Sequence, residues 1–213
     1  MLSPVVSASQ RTIVIFDLGG VLIDWNPRHL FRKIFEGDEA GMEHFLAHVC
    51  NQAWNEKQDE GRSFAEAVQE AINRHPDKEP YIRAYHERWV ETLGGPLHET
   101  VEVLTALHDR QVPLYALTNW SAETYPHAQR LFSFLAHFKG VVVSGTEKLI
   151  KPDPRIYRLL LERYDVAPES AVYIDDNSRN AEAATKLGLH GIHFTGAAAL
   201  RDELVKLDLL PAA

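Results

Sequence analysis

Residues 13–21, with the sequence IVIFDLGGV, constrain the possible folds of this chain more than any other segment. A continuous apolar run that ends at glycines predicts a short strand buried on both faces, as in a parallel sheet. The strand delivers one acidic side chain, Asp17, to its carboxyl end. Ligands of open α/β sheets bind outside the carboxyl ends of the strands, and a carboxylate there must be paired, bound to a metal or used chemically. The segment therefore predicts one edge of an active site.

Further apolar runs predict the rest of the sheet. Runs bounded by turn residues occur at 12–16, 112–117, 140–143, 171–174 and 191–194. Helical patterns lie between them, as at 97–110 and 153–164, where apolar residues recur at a helical period. Because strands and helices alternate, the sequence predicts an α/β fold with a doubly wound, Rossmann-like parallel sheet.

One long stretch departs from this alternation. From about residue 26 to residue 95 helical periods dominate and no strand pattern is visible. We expect an all-helical insert directly after the first strand, above the carboxyl edge of the sheet, where it can act as a lid. The expected domains are therefore an α/β core of residues 11–25 and 96–213 and a small helical cap of residues 26–95.

Three later segments place polar residues after predicted strands. They are Leu117-Thr118-Asn119, Lys151-Pro152-Asp153-Pro154 and Ile174-Asp175-Asp176-Asn177. Together with the first segment they resemble, in order and over nearly the whole chain, the four motifs of the haloacid dehalogenase superfamily. The resemblance implies a hydrolase of the phosphatase branch, with the helical insert as its substrate-selecting cap and a small phosphorylated metabolite, such as a sugar phosphate, as substrate.

The resemblance also implies roles for individual side chains. Asp17 resembles the nucleophile, which attacks phosphorus and forms an aspartyl-phosphate that water resolves. Thr118 and Asn119 resemble the residues that seat the phosphoryl group. Lys151 resembles the cation that offsets negative charge on the nucleophile and on the transferring group; Lys148 is the second candidate for that role.

A magnesium site is implied by the same resemblance. Asp17, the main-chain carbonyl of Gly19 and Asp176 would hold Mg²⁺, aided by Asp175, since this ion favours a few carboxylates with waters and phosphate oxygens. Asp176 takes the principal position of the acidic pair. The alternative for the pair is structural, as an N-cap of a helix that begins near Ser178.

Gly19 departs from the usual pattern. Most phosphatases of the superfamily carry a second aspartate at this position as general acid and base, and such assistance is worth about 10² to 10⁴ in rate. The first motif also resembles a subset of these phosphatases, including glucose-1-phosphate phosphatases, that have glycine here. The enzyme could use substrates with better leaving groups, which we favour: anomeric sugar, aryl or acyl phosphates. Alternatively Asp24, Glu56 or Lys57 could replace the missing carboxyl group.

Two other functions remain open at this stage. The chain could bind phosphate compounds without turnover, as a catalytically impaired relative. It could also be a metal-free dehalogenase, although the adjacent carboxylates of Asp175 and Asp176 would repel a haloacid anion, and that branch usually has tyrosine where this chain has Gly19.

Composition limits the partners. The 22 basic and 30 acidic residues give a formal charge of −8, so we expect no nucleic-acid partner. No apolar stretch approaches the roughly 18 residues that span a bilayer. The single cysteine, Cys50, excludes a disulfide within the chain, and the first ten residues lack the apolar region of a signal peptide and are expected to form a loose tail. We expect a cytoplasmic monomer or homodimer.

Overall fold

The central feature of the fold is a five-stranded parallel sheet. The structure is a computed structural model that describes residues 11–212, so the expected tail of residues 1–10 lies outside it. The sheet strands are β1 (Ile13–Phe16), β4 (Leu114–Thr118), β5 (Gly140–Val143), β6 (Ala171–Asp175) and β7 (His190–His193); β2 (Ile23–Trp25) and β3 (Leu93–Pro96) form a separate antiparallel pair. The sheet order is β5-β4-β1-β6-β7. The carboxyl ends of β4, β1 and β6 therefore meet at the middle of one edge.

Alternation along the strands sends side chains to two separate cores. On β1, Val14 and Phe16 belong to one apolar cluster while Ile15 belongs to another. On β6, Val172 and Ile174 likewise face away from Tyr173. Both faces of the sheet are thus covered, as the predicted doubly wound α/β fold requires.

Helices cover both faces of the sheet and fill the predicted insert. The helices of the insert are α1 (Arg28–Phe35), α2 (Glu39–His48), α3 (Gln52–Asp59), α4 (Phe64–Arg74) and α5 (Glu79–Glu87). Those that follow are α6 (His98–Asp109), α7 (Tyr125–Leu131), α8 (Ser144–Glu147), α9 (Pro154–Arg163), α10 (Ser178–Lys186) and α11 (Ala197–Lys206). Buried residues of α6 and α11 pack in the first cluster, and those of α9 in the second. In the described part of the chain no helix is long and apolar enough to cross a membrane.

Two strands and one helix at the helical insert were not predicted. The strands β2 and β3 pair where the chain enters and leaves the insert, although Gly94-Gly95-Pro96 suggested only a turn. Helix α3 escaped detection because it buries the polar residues Asn55 and Gln58 beside Trp54, and so lacks an apolar stripe. Residues of this helix line the cleft at the carboxyl edge of the sheet.

Aromatic packing fixes α3 against the other helices of the insert. The ring of Tyr85 lies 5.0 Å from that of Trp54 on α3 and 5.7 Å from that of Phe31 on α1. Residues of the insert and residues of the sheet belong to one continuous apolar cluster. Burial of these rings, each worth about 1.5–3 kcal/mol, holds the face of α3 in place above the sheet edge.

Candidate active site

Lys151 contacts the carboxyl ends of three neighbouring strands, and these buried groups form the floor of the candidate site. Its Nζ lies 2.9 Å from Asp17 Oδ2 and 2.7 Å from Asp175 Oδ2, and it donates a hydrogen bond of 3.1 Å to the main-chain oxygen of Leu117. Asp17 follows β1, Leu117 lies on β4 and Asp175 ends β6. The buried ammonium group therefore links the three adjacent strands and offsets two carboxylates that would otherwise repel each other.

Asp175 accepts hydrogen bonds on both carboxylate oxygens. Oδ2 accepts from Lys151 Nζ at 2.7 Å and from the hydroxyl of Tyr173 at 2.5 Å. Oδ1 accepts from the main-chain N–H of Asn177 at 2.9 Å and from the Asn180 amide at 3.0 Å. These donors occupy the lone pairs of the carboxylate. This geometry favours a positioning role for Asp175, with Lys151 as the group that it positions.

The acidic pair does not cap the helix that follows it. The N-cap of α10 is Asn177, whose side chain accepts a hydrogen bond from the main-chain N–H of Arg179. The structural alternative for Asp175 and Asp176 is therefore wrong, because Asn177 performs the capping. The Asp176 carboxylate remains available for another partner at the sheet edge, and within residues 11–212 it forms no ion pair.

Three carboxylates form a group of the right dimensions for a metal ion. One oxygen of each of Asp17, Asp175 and Asp176 lies within 4.8 Å of the others. Carboxylate oxygens are the ligands that Mg²⁺ prefers. Since the Asp175 oxygens already accept several hydrogen bonds, the donor set fits a cation held directly by Asp17 and Asp176.

Burial changes the protonation of the central groups. Burial raises the pKa of Asp17 to about 7; the Lys151 ammonium acts against this rise, and the Asp175 charge adds to it. Burial alone would lower the pKa of Lys151, but the carboxylates of Asp17 and Asp175 raise it, so the lysine stays charged. Burial, followed by the charge of Asp175, raises the pKa of Tyr173 far above its ordinary value, so its hydroxyl remains a donor.

The two residues after β4 differ in what they contact. Thr118, the last residue of β4, is buried below the cleft. Asn119 lines the cleft, but its amide hydrogen-bonds to the main chain of Lys151: Oδ1 accepts from the Lys151 N–H at 2.8 Å, and Nδ2 donates to the Lys151 oxygen at 3.1 Å. The sequence did not predict this paired contact, which holds the lysine loop against β4.

The two glycines after Asp17 have different surroundings. Gly20 has a φ of +73°, and a Cβ built on it would lie 2.3 Å from Asp176 Oδ2. Gly19 lines the cleft, and a Cβ built there would meet nothing within 4 Å. Glycine is thus required at position 20 by both conformation and contact, whereas position 19 opens into free space.

Gly20→Ala and Gly19→Ala should therefore behave differently. The first substitution should lower the free energy of unfolding by about 1–2 kcal/mol, because a side chain in the left-handed region is strained, and should weaken magnesium binding because Asp176 must move. The second should change stability by less than about 0.5 kcal/mol. Urea unfolding in EDTA and magnesium titration measure both effects; equal losses in the two variants would contradict this interpretation.

A cleft of about 380 Å³ opens above the floor. The predicted site residues Asp17, Gly19, Asn119, Lys151 and Asp176 line it, whereas Thr118 and Asp175 are buried and are not among the lining residues. Further residues at its wall were not predicted as site residues: Gln52, Asn55, Asp59, Glu60, Phe64, Trp120, Ser121, Thr124, Ile150, Pro152, Asn177, Arg179 and Asn180. Trp120 and Ser121 directly follow a recognised motif, which was the available signal for them.

The sequence had suggested three replacements for the carboxyl group that Gly19 lacks. Asp24 Oδ2 lies 2.9 Å from His29 Nε2, and Asp24 is not among the residues that line the cleft. Lys57 is exposed and also lies outside that lining. Glu56 is on the cleft wall, on helix α3.

A doubly wound sheet that carries a lysine-paired aspartate and further carboxylates at its central carboxyl edge places the chain among α/β proteins with an acidic, potentially metal-binding site. The chain belongs to the haloacid dehalogenase-like hydrolase family, whose sequence profile matches residues 12–188. The family resemblance is thus confirmed, and the parallel sheet confirms the α/β fold predicted from the alternation of strands and helices.

Individual relatives agree with this family. The chain is 25% identical to a sesquiterpene phosphatase of Aspergillus oryzae over 91% of this chain and 94% of the relative. It is 26% identical to a phosphorylated carbohydrates phosphatase of Thermotoga maritima over 84% of this chain and 83% of the relative. A haloacid dehalogenase family enzyme of Bacteroides thetaiotaomicron, crystallised with magnesium and inorganic phosphate, shares the fold with a TM-score of 0.62 and 24% identity, over 84% of this chain and 91% of that one.

Proposed function

We propose that the protein is a magnesium-dependent phosphatase of small phosphorylated metabolites that works through an aspartyl-phosphate on Asp17. The observation that carries the proposal is the position of Asp17 at the central sheet edge. There the Lys151 Nζ lies 2.9 Å from one Asp17 oxygen, and an oxygen of Asp176 lies within 4.8 Å of Asp17, close enough for the two carboxylates to share a metal ion. A carboxylate in this position opens onto the cleft and can attack a phosphoryl group held there. The names of the two relatives as phosphatases support the same function.

The charges in the floor explain why a cation is needed. The Lys151 ammonium group pairs with Asp17 and Asp175, and Asp176 adds a third carboxylate within 4.8 Å, so a phosphate dianion would meet an excess of negative charge in this cluster. Asp17 and Asp176, with the Gly19 carbonyl, are the groups that would hold Mg²⁺. When bound, Mg²⁺ supplies the positive charge that lets phosphate oxygens approach the carboxylates and stabilises the charge that develops during transfer.

The protein groups then have distinct tasks. The Leu18 N–H donates to Asp17 Oδ1 at 2.7 Å and, with Lys151, orients the carboxylate before the attack on phosphorus. Lys151 offsets charge on the transferring group, and Asn119 and Asp175 hold its main chain and its side chain, respectively. We propose that Thr118 also helps to seat the phosphoryl group at the end of β4. This arrangement uses fixed charges and dipoles that need no rearrangement during the reaction.

We further propose that residues 26–95 act as a cap that selects the leaving group. Phe64 and Trp89 of this cap give the cleft an apolar wall, which Trp25 extends from just before the cap, while Gln52 and Asn55 contribute amide groups to the lining. A wall of aromatic rings and hydrogen-bonding groups suits a sugar phosphate. The named activity of the Thermotoga maritima relative on phosphorylated carbohydrates supports this choice.

Two alternatives fit the geometry less well. A metal-free dehalogenase would bring a haloacid anion to Asp17 beside the carboxylates of Asp175 and Asp176, although the ammonium group of Lys151 is already paired with Asp17 and Asp175. A protein that binds phosphate compounds without turnover has no need for a carboxylate positioned for attack. Turnover and its metal dependence separate all three functions.

The direct test measures phosphate release from sugar phosphates, p-nitrophenyl phosphate and acetyl phosphate. We expect release with Mg²⁺ and a loss of at least about 100-fold after removal of the metal by EDTA, with recovery on adding Mg²⁺ back. Haloacids, assayed by halide release, serve as the comparison. No phosphate release from any substrate by the folded protein would contradict the proposal, and halide release in EDTA would establish the dehalogenase.

A further inference from the structure

Helix α3 brings another carboxyl group to the cleft above Asp17. Asp59, its last residue, is on the cleft wall together with Asp17 and Gly19. Glu56 lies three residues earlier, and a spacing of three places both side chains on the same helix face. The sequence did not single out Asp59 because helix α3 itself was not predicted.

A buried network holds the Asp59 side chain in place. The Tyr85 hydroxyl donates to Asn55 Oδ1 at 3.2 Å, and Asn55 Nδ2 donates to Asp59 Oδ2 at 3.0 Å. Tyr85 and Asn55 are both buried. Because the supporting side chains are locked by packing, Asp59 presents its carboxyl group to the cleft in a defined position.

The arginine nearest in sequence does not neutralise Asp59. The Arg62 guanidinium pairs with Glu70 and donates to Gln58 Oε1, one residue before Asp59. Among the described residues, Asp59 belongs to no ion pair. Burial without a partner cation favours the protonated form of a carboxyl group.

Burial and two neighbouring carboxylates raise the pKa of Asp59. Burial raises the pKa of Asp59 to about 8, and the charge of Glu56 on the same helix and that of Asp17 below add to the rise. The main-chain N–H of Ser121, after β4, and the charge of Lys151 act against it. Asp59 is therefore protonated at neutral pH, as a proton donor must be.

We propose that Asp59 is the general acid and base of the reaction and replaces the carboxyl group that Gly19 lacks. When Asp17 attacks phosphorus and the bond to the leaving oxygen breaks, the Asp59 proton passes to that oxygen and the alcohol departs. The Asp59 carboxylate then takes a proton from water as the water oxygen attacks the aspartyl-phosphate. This step breaks the bond between Asp17 and phosphorus, releases phosphate and restores protonated Asp59.

The inference rests on the proposed phosphatase activity, and three substrates of similar size test the role of Asp59 separately from that activity. They are p-nitrophenyl, phenyl and benzyl phosphate, whose leaving groups need increasing assistance from an acid. In Asp59→Asn we expect kcat/KM for benzyl phosphate to fall by about 10² to 10³, with the p-nitrophenyl value within about fivefold, because only a poor leaving group needs the proton. Asp77→Asn, the same change at an exposed residue of the insert, is the matched control and should leave all three values unchanged.

Two further readouts distinguish a proton donor from a merely structural residue. Asp59→Asn should release p-nitrophenol in a burst equal to the enzyme concentration, because resolution of the aspartyl-phosphate has lost its base. Adding Gly19→Asp to Asp59→Asn should restore hydrolysis of benzyl phosphate, since position 19 opens into free space. In Glu56→Gln the alkaline limb of the benzyl phosphate profile should move to lower pH, because a charge that raises the pKa of Asp59 is gone.

A measurement without turnover tests the protonation of Asp59 directly. Burial raises the pKa of Asp59 from its ordinary value of 3.8 to about 8, so the folded protein loses stability as the pH rises through this window. Asp59→Asn should lose less thermal stability than the wild type between about pH 5 and pH 9. An equal loss in the two proteins would overturn the inference.

The kinetic outcomes lead to separate conclusions. A uniform fall of kcat/KM for all three substrates in Asp59→Asn, no fall at all, or a wild type that hydrolyses only p-nitrophenyl phosphate would each overturn the role of Asp59 while leaving the phosphatase function standing. No hydrolysis of any phosphate by the wild type would overturn both.

Discussion

Asp17→Asn should abolish turnover, with kcat lowered by at least about 10⁴, because an amide oxygen is a far weaker nucleophile and the aspartyl-phosphate cannot form. Asparagine has nearly the same shape, and Lys151 keeps its second partner, Asp175, so the fold should persist. Phosphate release under Mg²⁺ measures the loss. Circular dichroism and a cooperative thermal transition check that the variant is folded.

Trapping of the intermediate gives a second readout for the same change. Acid quenching during turnover should leave a detectable fraction of the wild-type peptide that contains Asp17 phosphorylated, and none of the variant peptide. Asp202→Asn, at an exposed residue of α11, is the matched control and should retain full activity. Undiminished hydrolysis by Asp17→Asn would remove Asp17 as the nucleophile.

Lys151→Met should have the largest effect on stability. Removal of the ammonium group leaves the carboxylates of Asp17 and Asp175 buried without their cation, and breaking a buried ion pair in this way costs about 3–5 kcal/mol. The loss is to be measured by urea unfolding in EDTA. Mg²⁺ should restore part of it, since an ion that binds only the folded state stabilises that state.

The same variant should also lose activity. We expect kcat to fall by about 10² to 10³, because a fixed charge that stabilises the transferring group is gone. Lys148→Met provides the control: Lys148 is exposed in the same loop region, and its replacement should change the free energy of unfolding by less than about 0.5 kcal/mol. Equal destabilisation by the two substitutions would show that Lys151 does not link the strands energetically.

The sheet was predictable because its strands carry a strong local signal. The runs around Ile15, Ala116 and Tyr173 are apolar and end at turn residues, so their limits were predicted to within about two residues. The ends of β1, β4 and β6 also carry the recognised motifs, which placed Asp17 and Asp175 at the same edge. Here the local pattern and the tertiary fold agree.

The entrance of the cleft was not predictable by the same means. Helix α3 turns amide and carboxyl groups towards its neighbours and the cleft, so apolar periodicity fails there. The antiparallel pair of β2 and β3 depends on contact between residues separated by the whole helical insert, and the glycines of β3 gave a turn signal that outweighed it. Both features arise from long-range contacts.

Residue order alone established the family, the parallel sheet and the set of acidic and basic groups at its edge, because each depends on short motifs and local periodicity. Tertiary packing decided which of these groups share a hydrogen bond: that Asp175 is saturated by its neighbours, that Asn119 holds the lysine loop, and that Asp59 faces the cleft. The physical reason is that protonation and hydrogen bonding depend on burial and on atoms a few ångströms away, which residues distant in sequence supply only after the chain has folded.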